Sequence, residues 1–216
     1  MLEEKWASPE DFATLFQYLW YRDFPMDAKM AVGARRVDWT IHIGVIVRKI
    51  ADLMGLVTRF EEGRKDAMLR STDGDEIALE WEWEDILGKE GKLKGNELRK
   101  LQNRKVWRPN DKEGLKYAVL ITYTKMSGEE TEQVYDELVK VKVYDEVVKV
   151  WKGTPWPLLF ILIDFGKFEM LSSRRGFKKI RMSVFREGNY KELRSAPAFP
   201  WEVAGTRWSY QLKNDK

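Results

Sequence analysis

The stretch that most constrains this chain is 64–84, RKDAMLRSTDGDEIALEWEWE. Its centre, Ser71-Thr72-Asp73-Gly74-Asp75, is a run of turn formers, and apolar residues alternate with polar ones after it, which is the pattern of a β-hairpin. Side chains in a strand point alternately to opposite faces, so Ile77, Leu79, Trp81 and Trp83 fall on one side and Glu76, Glu80, Glu82 and Glu84 on the other. One face is apolar and the other is a row of carboxylates.

The register decides what that row can do. With a five-residue loop over Ser71–Asp75, Met68 lies opposite Ala78, Asp66 opposite Glu80 and Arg64 opposite Glu82, and directly opposed residues share a face with Cβ atoms roughly 5 Å apart. A loop shorter by two sets Asp66 against Glu82. An even-length loop would turn Asp66 onto the tryptophan face, where an unpaired carboxylate is costly, so the odd registers are expected. Converging acids repel one another unless a cation lies among them, and a hard divalent ion such as Mg²⁺ or Mn²⁺ is the usual solution where phosphates are handled. The competing reading is that an alternating Glu strand is only the solvated face of a sheet.

Composition narrows the chemistry. The 216 residues contain no Cys and one His, which excludes disulfides, thiolate nucleophiles and multi-His zinc sites. His42 lies on the apolar side of an expected helix and reads as a packing residue. With 34% charged residues but a net charge of only +3, the surface is densely mixed rather than polybasic, a balance that fits a heat-adapted source. The longest apolar run, Leu158–Ile163, is too short to span a bilayer, and no basic-then-apolar leader opens the chain, so a cytoplasmic protein without membrane contact is expected.

Along the chain, Ser8-Pro9-Glu10-Asp11 predicts a capped helix that ends near Pro25. Asp38–Gly55 predicts a second helix with Trp39, Ile43, Ile46, Val47, Ile50 and Met54 in the core. Leu56–Glu61 reads as a short strand and Glu62-Gly63 as a turn. After the hairpin, Asn96 is expected to cap a helix running to Arg104, and Tyr117–Tyr123 to form a strand covered on both faces. Ser127–Glu130 fits a capping box ahead of a long helix ending at Trp151, although Val139–Val143 also alternates like a strand. Pro157–Asp164 reads as a buried strand, and Phe177–Phe185 as an edge strand with a basic face. The organisation expected is a helical extension over 1–37, a helix-strand-strand-strand-helix-strand core over 38–125, and a C-terminal extension of the same domain over 126–216.

That element order, with Asp66 at the start of the middle strand and Ile77-Ala78-Leu79-Glu80-Trp81-Glu82 after it, resembles the PD-(D/E)XK restriction-endonuclease-like superfamily. The resemblance covers roughly Asp38–Tyr123. It implies an α/β (α+β) restriction-endonuclease-like core in which Asp66 and Glu80 hold one or two magnesium ions, and a nuclease acting on DNA. The last motif position is usually a lysine that positions or activates water, and here it is Glu82. The Pro that usually precedes the Asp is replaced by Lys65. The resemblance therefore leaves open the source of the cation, with Arg64 the residue expected on the same face and a lysine from the following helix as another source. Glu82 would ligate a second ion or accept a proton from the attacking water.

Two further readings stand beside the nuclease. The same fold can carry a decayed site that only binds nucleic acid, through Lys92, Lys94, Arg99, Lys100 and Arg104 or through Arg174, Arg175, Lys178, Lys179 and Arg181. Alternatively, ten Trp residues and a long helix would suit a structural or assembly protein, including a homodimer. A glycosidase using Asp66 and Glu80 is disfavoured, because directly opposed acids leave little room for a sugar.

Overall fold

A computed structural model describes residues 8–25, 36–72, 74–88, 91–103, 115–125, 132–167 and 175–205. Helix α1 (Pro9–Arg22) begins where the sequence indicates: the Asp11 amide donates to Ser8 Oγ at 3.1 Å, and the Ser8 amide donates back to the Asp11 carboxylate at 3.3 Å. Its buried stripe of Phe12, Phe16, Leu19 and Trp20 packs beside helix α2 (Arg36–Leu53), which contributes Trp39, Ile43, Ile46, Val47 and Ile50. Helix α2 ends on Gly55, whose φ of +70° lets the Leu56 amide reach back to the Ala51 carbonyl at 2.8 Å.

Strands β1 (Val57–Phe60), β2 (Ala67–Arg70), β3 (Asp75–Asp85), β4 (Tyr117–Lys125), β5 (Leu158–Lys167), β6 (Arg175–Arg186) and β7 (Asn189–Pro197) form one seven-stranded mixed sheet in chain order. The pairs β1–β2–β3 are antiparallel, β3–β4–β5 parallel, and β5–β6–β7 antiparallel. The parallel strands are joined by crossovers, one containing helix α3 (Asn96–Gln102). The other contains α4 (Glu132–Val139), a π-helical segment (Lys140–Tyr144) and α5 (Asp145–Trp151), which follow one another without a break. Helices cover both faces, which is why β4 and β5 read as almost uninterrupted apolar runs. On one face Ile77, Leu79, Val119 and Ile161 pack with α1 and α2. On the other, Ala78, Leu120, Phe160 and Leu162 pack with Leu98 and Leu101 of α3 and with Tyr135, Val139, Val143 and Val147 of the long helix. The architecture is therefore a mixed α/β layer fold.

Two expectations change, the edge position of Phe177–Phe185 and the cap and end of the Asn96 helix. The strand around Phe177–Phe185 is not at the edge, because β7 pairs along its outer side. The hairpin that delivers β7 turns on Glu187 and Gly188, with φ of +54° and +78° and Arg186 opposite Asn189, a two-residue turn suited to the right-handed twist of the strands. The stretch Val139–Val143, which alternates like a strand, lies within the expected long helix. Its π segment keeps Val139, Val143, Tyr144 and Val147 all facing the sheet. Asn96 is the first residue of α3 rather than its cap, Gly95 holds the cap position, and the helix stops at Gln102. Most of the described tryptophans are core residues: Trp20, Trp39, Trp83, Trp151, Trp156 and Trp201 are buried, and Trp81 is partly buried against the same core. The Ser127–Glu130 capping box, Arg104, Arg174 and Trp208 lie outside the described residues. No helix among the described residues is long and apolar enough to cross a membrane.

Candidate active site

Strands β2 and β3 pair with Met68 opposite Ala78 and Ala67 opposite Leu79, the odd register in which Asp66, one residue before β2, comes level with Glu80. The connection over residues 71–74 has an even length. A bulge between Leu69 and Arg70 absorbs the difference and keeps the acids on one face. Glu80 and Glu82 share that face with Ala78, Leu120 and Thr122, because β3 and β4 pair in parallel with Glu80 beside Leu120 and Glu82 beside Thr122. The opposite face carries Leu79 and Trp83, so the alternation read from the sequence sorts these residues as expected.

Glu80 is completely buried; among the described residues no N–H donates to its carboxyl oxygens, and the groups within hydrogen-bonding reach are the carboxyls of Asp66 and Glu97. Among the described residues the cation paired with it is Lys100 of α3, whose Nζ lies 3.5 Å from Glu80 Oε2 and 2.6 Å from Glu97 Oε2. Burial, followed by repulsion from Asp66, pushes the Glu80 carboxyl up to about 9. Asp66 is half-buried and accepts the Trp81 amide on Oδ2 at 2.7 Å. Burial also raises its pKa, with the Trp81 N–H and Lys100 opposing. Desolvation pulls the Lys100 ammonium down, but Glu97, Glu80 and Asp66 together outweigh it and hold the pKa above the ordinary value. Asp66, Glu80, Glu97 and Lys100 thus form one coupled cluster at the junction of the hairpin and α3.

Two residues expected in the site stand differently. Glu82 Oε1 accepts the amide of Trp83 at 2.7 Å. The side chain lines a small neighbouring hollow of about 70 Å³ with Asp85, Lys94, Asn96, Glu97 and Thr122. Arg64 does not pair with Glu82: it ends the turn Glu62–Arg64 with φ of +62°, exposed and before the ladder begins. Lys65 is buried, one residue out of phase with Asp66, as alternation predicts. The cation nearest the acids is Lys100, which the sequence shows only as one of several basic residues around α3. Its three-residue spacing from Glu97, on the helix face next to buried Leu98 and Leu101, is the pattern that singles it out.

A second buried polar group lies farther across the same face. Arg181 Nε donates to Asp164 Oδ2 at 2.7 Å, its other end bonds Asp136 of α4, and the Tyr135 hydroxyl donates to Asp164 Oδ1 at 3.3 Å. Burial pushes the Asp164 carboxyl up to about 6, against the pull of Arg181. The basic face expected on β6 is in this respect internal, since Arg181 ties the long helix to the sheet.

Among the described residues, no set of three or more His, Asp or Glu is arranged to hold a metal ion. A pair of acids remains. A buried carboxyl beside a second carboxylate is a donor set that fits Mg²⁺ or Mn²⁺, which often take one or two protein carboxylates and fill the remaining positions with water and substrate phosphate. No family model, no curated protein and no solved structure matches the chain.

Proposed function

We propose that this protein is a metal-dependent nuclease hydrolysing phosphodiester bonds in DNA on a PD-(D/E)XK restriction-endonuclease-like core. The observation that carries the reading is Glu80, a fully buried carboxyl packed against the carboxyls of Asp66 and Glu97 with Lys100 3.5 Å away. Burying a charge without partners is expensive, and a fold retains such a group where a ligand completes it. The strand order also supports the reading: α2 precedes an antiparallel β1–β2–β3 unit, and β4 follows α3 parallel to β3.

In this reading Asp66 and Glu80 hold Mg²⁺ or Mn²⁺, which when bound polarises the scissile phosphate and lowers the pKa of water. The Trp81 N–H fixes the orientation of Asp66. Lys100 takes the part that the family motif usually gives to the lysine two residues after the acid, approaching from α3 because Glu82 holds that motif position. Its ammonium stabilises negative charge as it develops on the phosphate, and Glu97 holds it in place. Glu82 and Arg64 act on the substrate at the rim of the site.

Plasmid DNA incubated with the protein and Mn²⁺, with and without chelator, tests the proposal. Cleavage that requires the ion and disappears in Glu80→Ala supports it, and undiminished cleavage by Glu80→Ala rejects the assignment. Glu82, standing where the motif usually has a lysine, favours one rival, a protein on the same fold that binds DNA without cutting it. That rival predicts salt-sensitive DNA binding with no metal-dependent turnover.

A further inference from the structure

Most of the arginines whose side chains are described have a partner. Arg22, Arg48, Arg70, Arg181 and Arg186 are ion-paired, and Arg194 donates to Gln17 and Thr14. Arg59, Arg64 and Arg99 are exposed and have no hydrogen-bond or ion-pair partner among the described residues. Arg99 shares a side of α3 with Gln102, which bonds the Val150 carbonyl and Thr154, so it lies on the side toward the long helix and away from the acids. Arg59 is placed differently. It lies in β1 opposite Met68, which in turn lies opposite Ala78, and directly opposed residues share a face. Arg59 is therefore on the Glu80 face, two strands out from β3 and two residues short of the level of Glu80. Strand spacing and rise put the two Cα atoms about 12 Å apart. Strand β1 pairs only with β2, so this side of the site is an open edge.

We propose that the DNA strand to be cut reaches Asp66 and Glu80 over the β1 edge, and that Arg59 holds a neighbouring phosphate of that strand. The inference rests on the reading of the Glu80 cluster as a site for DNA; it adds the direction of approach and the residue that fixes it. Charge sets the direction. On its other side the cluster adjoins the hollow lined by Glu82, Asp85 and Glu97, whose carboxylates outnumber Lys94 and repel a polyanion. On the β1 side, Glu61 and Glu62 stand in the turn between Arg59 and Arg64. Arg70 engages Glu62 at 3.0 Å, which leaves one exposed acid against two exposed arginines. A guanidinium fork matches phosphate oxygens with paired hydrogen bonds, and a strand positions its side chains more firmly than a loop does.

Binding of a short DNA duplex in chelator, measured over a range of salt concentrations, tests it, with Mn²⁺-dependent cleavage of the same duplex recorded alongside. Arg59→Gln should weaken binding several-fold and lower the slope of log K against log salt by about 1, the signature of one lost phosphate contact. Arg59→Lys should restore the slope, because it keeps the charge. Lys94→Gln, in the hollow, and Arg48→Gln, on α2 and already paired with Asp52 at 3.3 Å, should leave the slope unchanged. Cleavage together with a slope that Arg59→Gln does not change overturns the contact and leaves the nuclease reading standing. A slope that falls in Lys94→Gln and not in Arg59→Gln overturns the direction of approach. A slope lowered by Arg59→Gln without any cleavage supports the contact and rejects the nuclease reading in favour of DNA binding alone. A wild type that neither binds nor cuts the duplex overturns both.

Discussion

Replacing Glu80 by Gln should stabilise the protein while destroying its proposed chemistry. The Glu80 carboxyl titrates near 9 in the folded chain against an ordinary 4.5, so between those limits the folded state holds a proton that the unfolded state has lost. Stability therefore falls as pH rises from about 4.5 to 9, and is flat on this account outside that window. At pH 7, about 2.5 units above the ordinary value, the cost amounts to about 3 kcal/mol. Gln removes the titration at nearly constant shape but leaves a buried amide needing partners, which gives back about 1 kcal/mol. A net gain of about 2 kcal/mol corresponds to a melting temperature higher by about 4–8 °C for a chain of this size. Urea unfolding of both proteins at pH 5, 7 and 9 measures the effect. The gap should be smallest at pH 5 and widen with pH. Saturating Mg²⁺ should narrow it, because a ligand that binds only the folded wild type stabilises that protein alone. A Glu80→Gln protein that is less stable than wild type at pH 9, or a gap that does not change with pH, would refute the reasoning.

Lys100→Ala should leave the fold intact and reduce metal-dependent cleavage by about 10²-fold or more, the usual cost of losing a group that stabilises transition-state charge; plasmid nicking rates measure it. His42, packed against the rings of Trp20, Phe24 and Trp39, is held down to about 4 by burial. Its contribution is thus complete above about 6.5 and is lost as pH falls toward 4, by up to about 3 kcal/mol, and denaturant midpoints for His42→Phe should lack that acid-side loss. Arg181→Met leaves Asp164 buried without its cation and should cost about 3–5 kcal/mol, whereas Arg181→Met with Asp164→Leu should recover most of it, as thermal unfolding of the two variants would show.

Local rules made part of this fold legible. Ser8-Pro9 starts α1, Gly55 ends α2, and the period-two pattern of β3 sorts its carboxylates from its aromatic residues, because each depends on neighbours in sequence. The approach of Asp66 to Glu80 was legible for the same reason: once hydrophobic burial fixes which side of β3 faces the core, parity fixes the rest. Lys100 was harder to single out: its three-residue spacing from Glu97 marks one helix face, but how α3 lies across the sheet, which brings that face to Glu80, is not encoded locally. Glu82 has the right parity, yet its carboxylate turns to the Trp83 amide, a side-chain torsion that strand periodicity does not set. Strand β7 escaped notice because most of its side chains face solvent, leaving little apolar alternation to read. Its Glu187-Gly188 turn was the one mark of it in the sequence.

The central claim is that Asp66 and Glu80 are paired for a divalent cation. Calorimetric titration of Mn²⁺ into the metal-free protein tests it most directly, with Glu80→Gln alongside. Saturable binding by the wild type that Glu80→Gln abolishes is the predicted result. Absence of binding by the wild type, or equal binding by both proteins, would contradict the account.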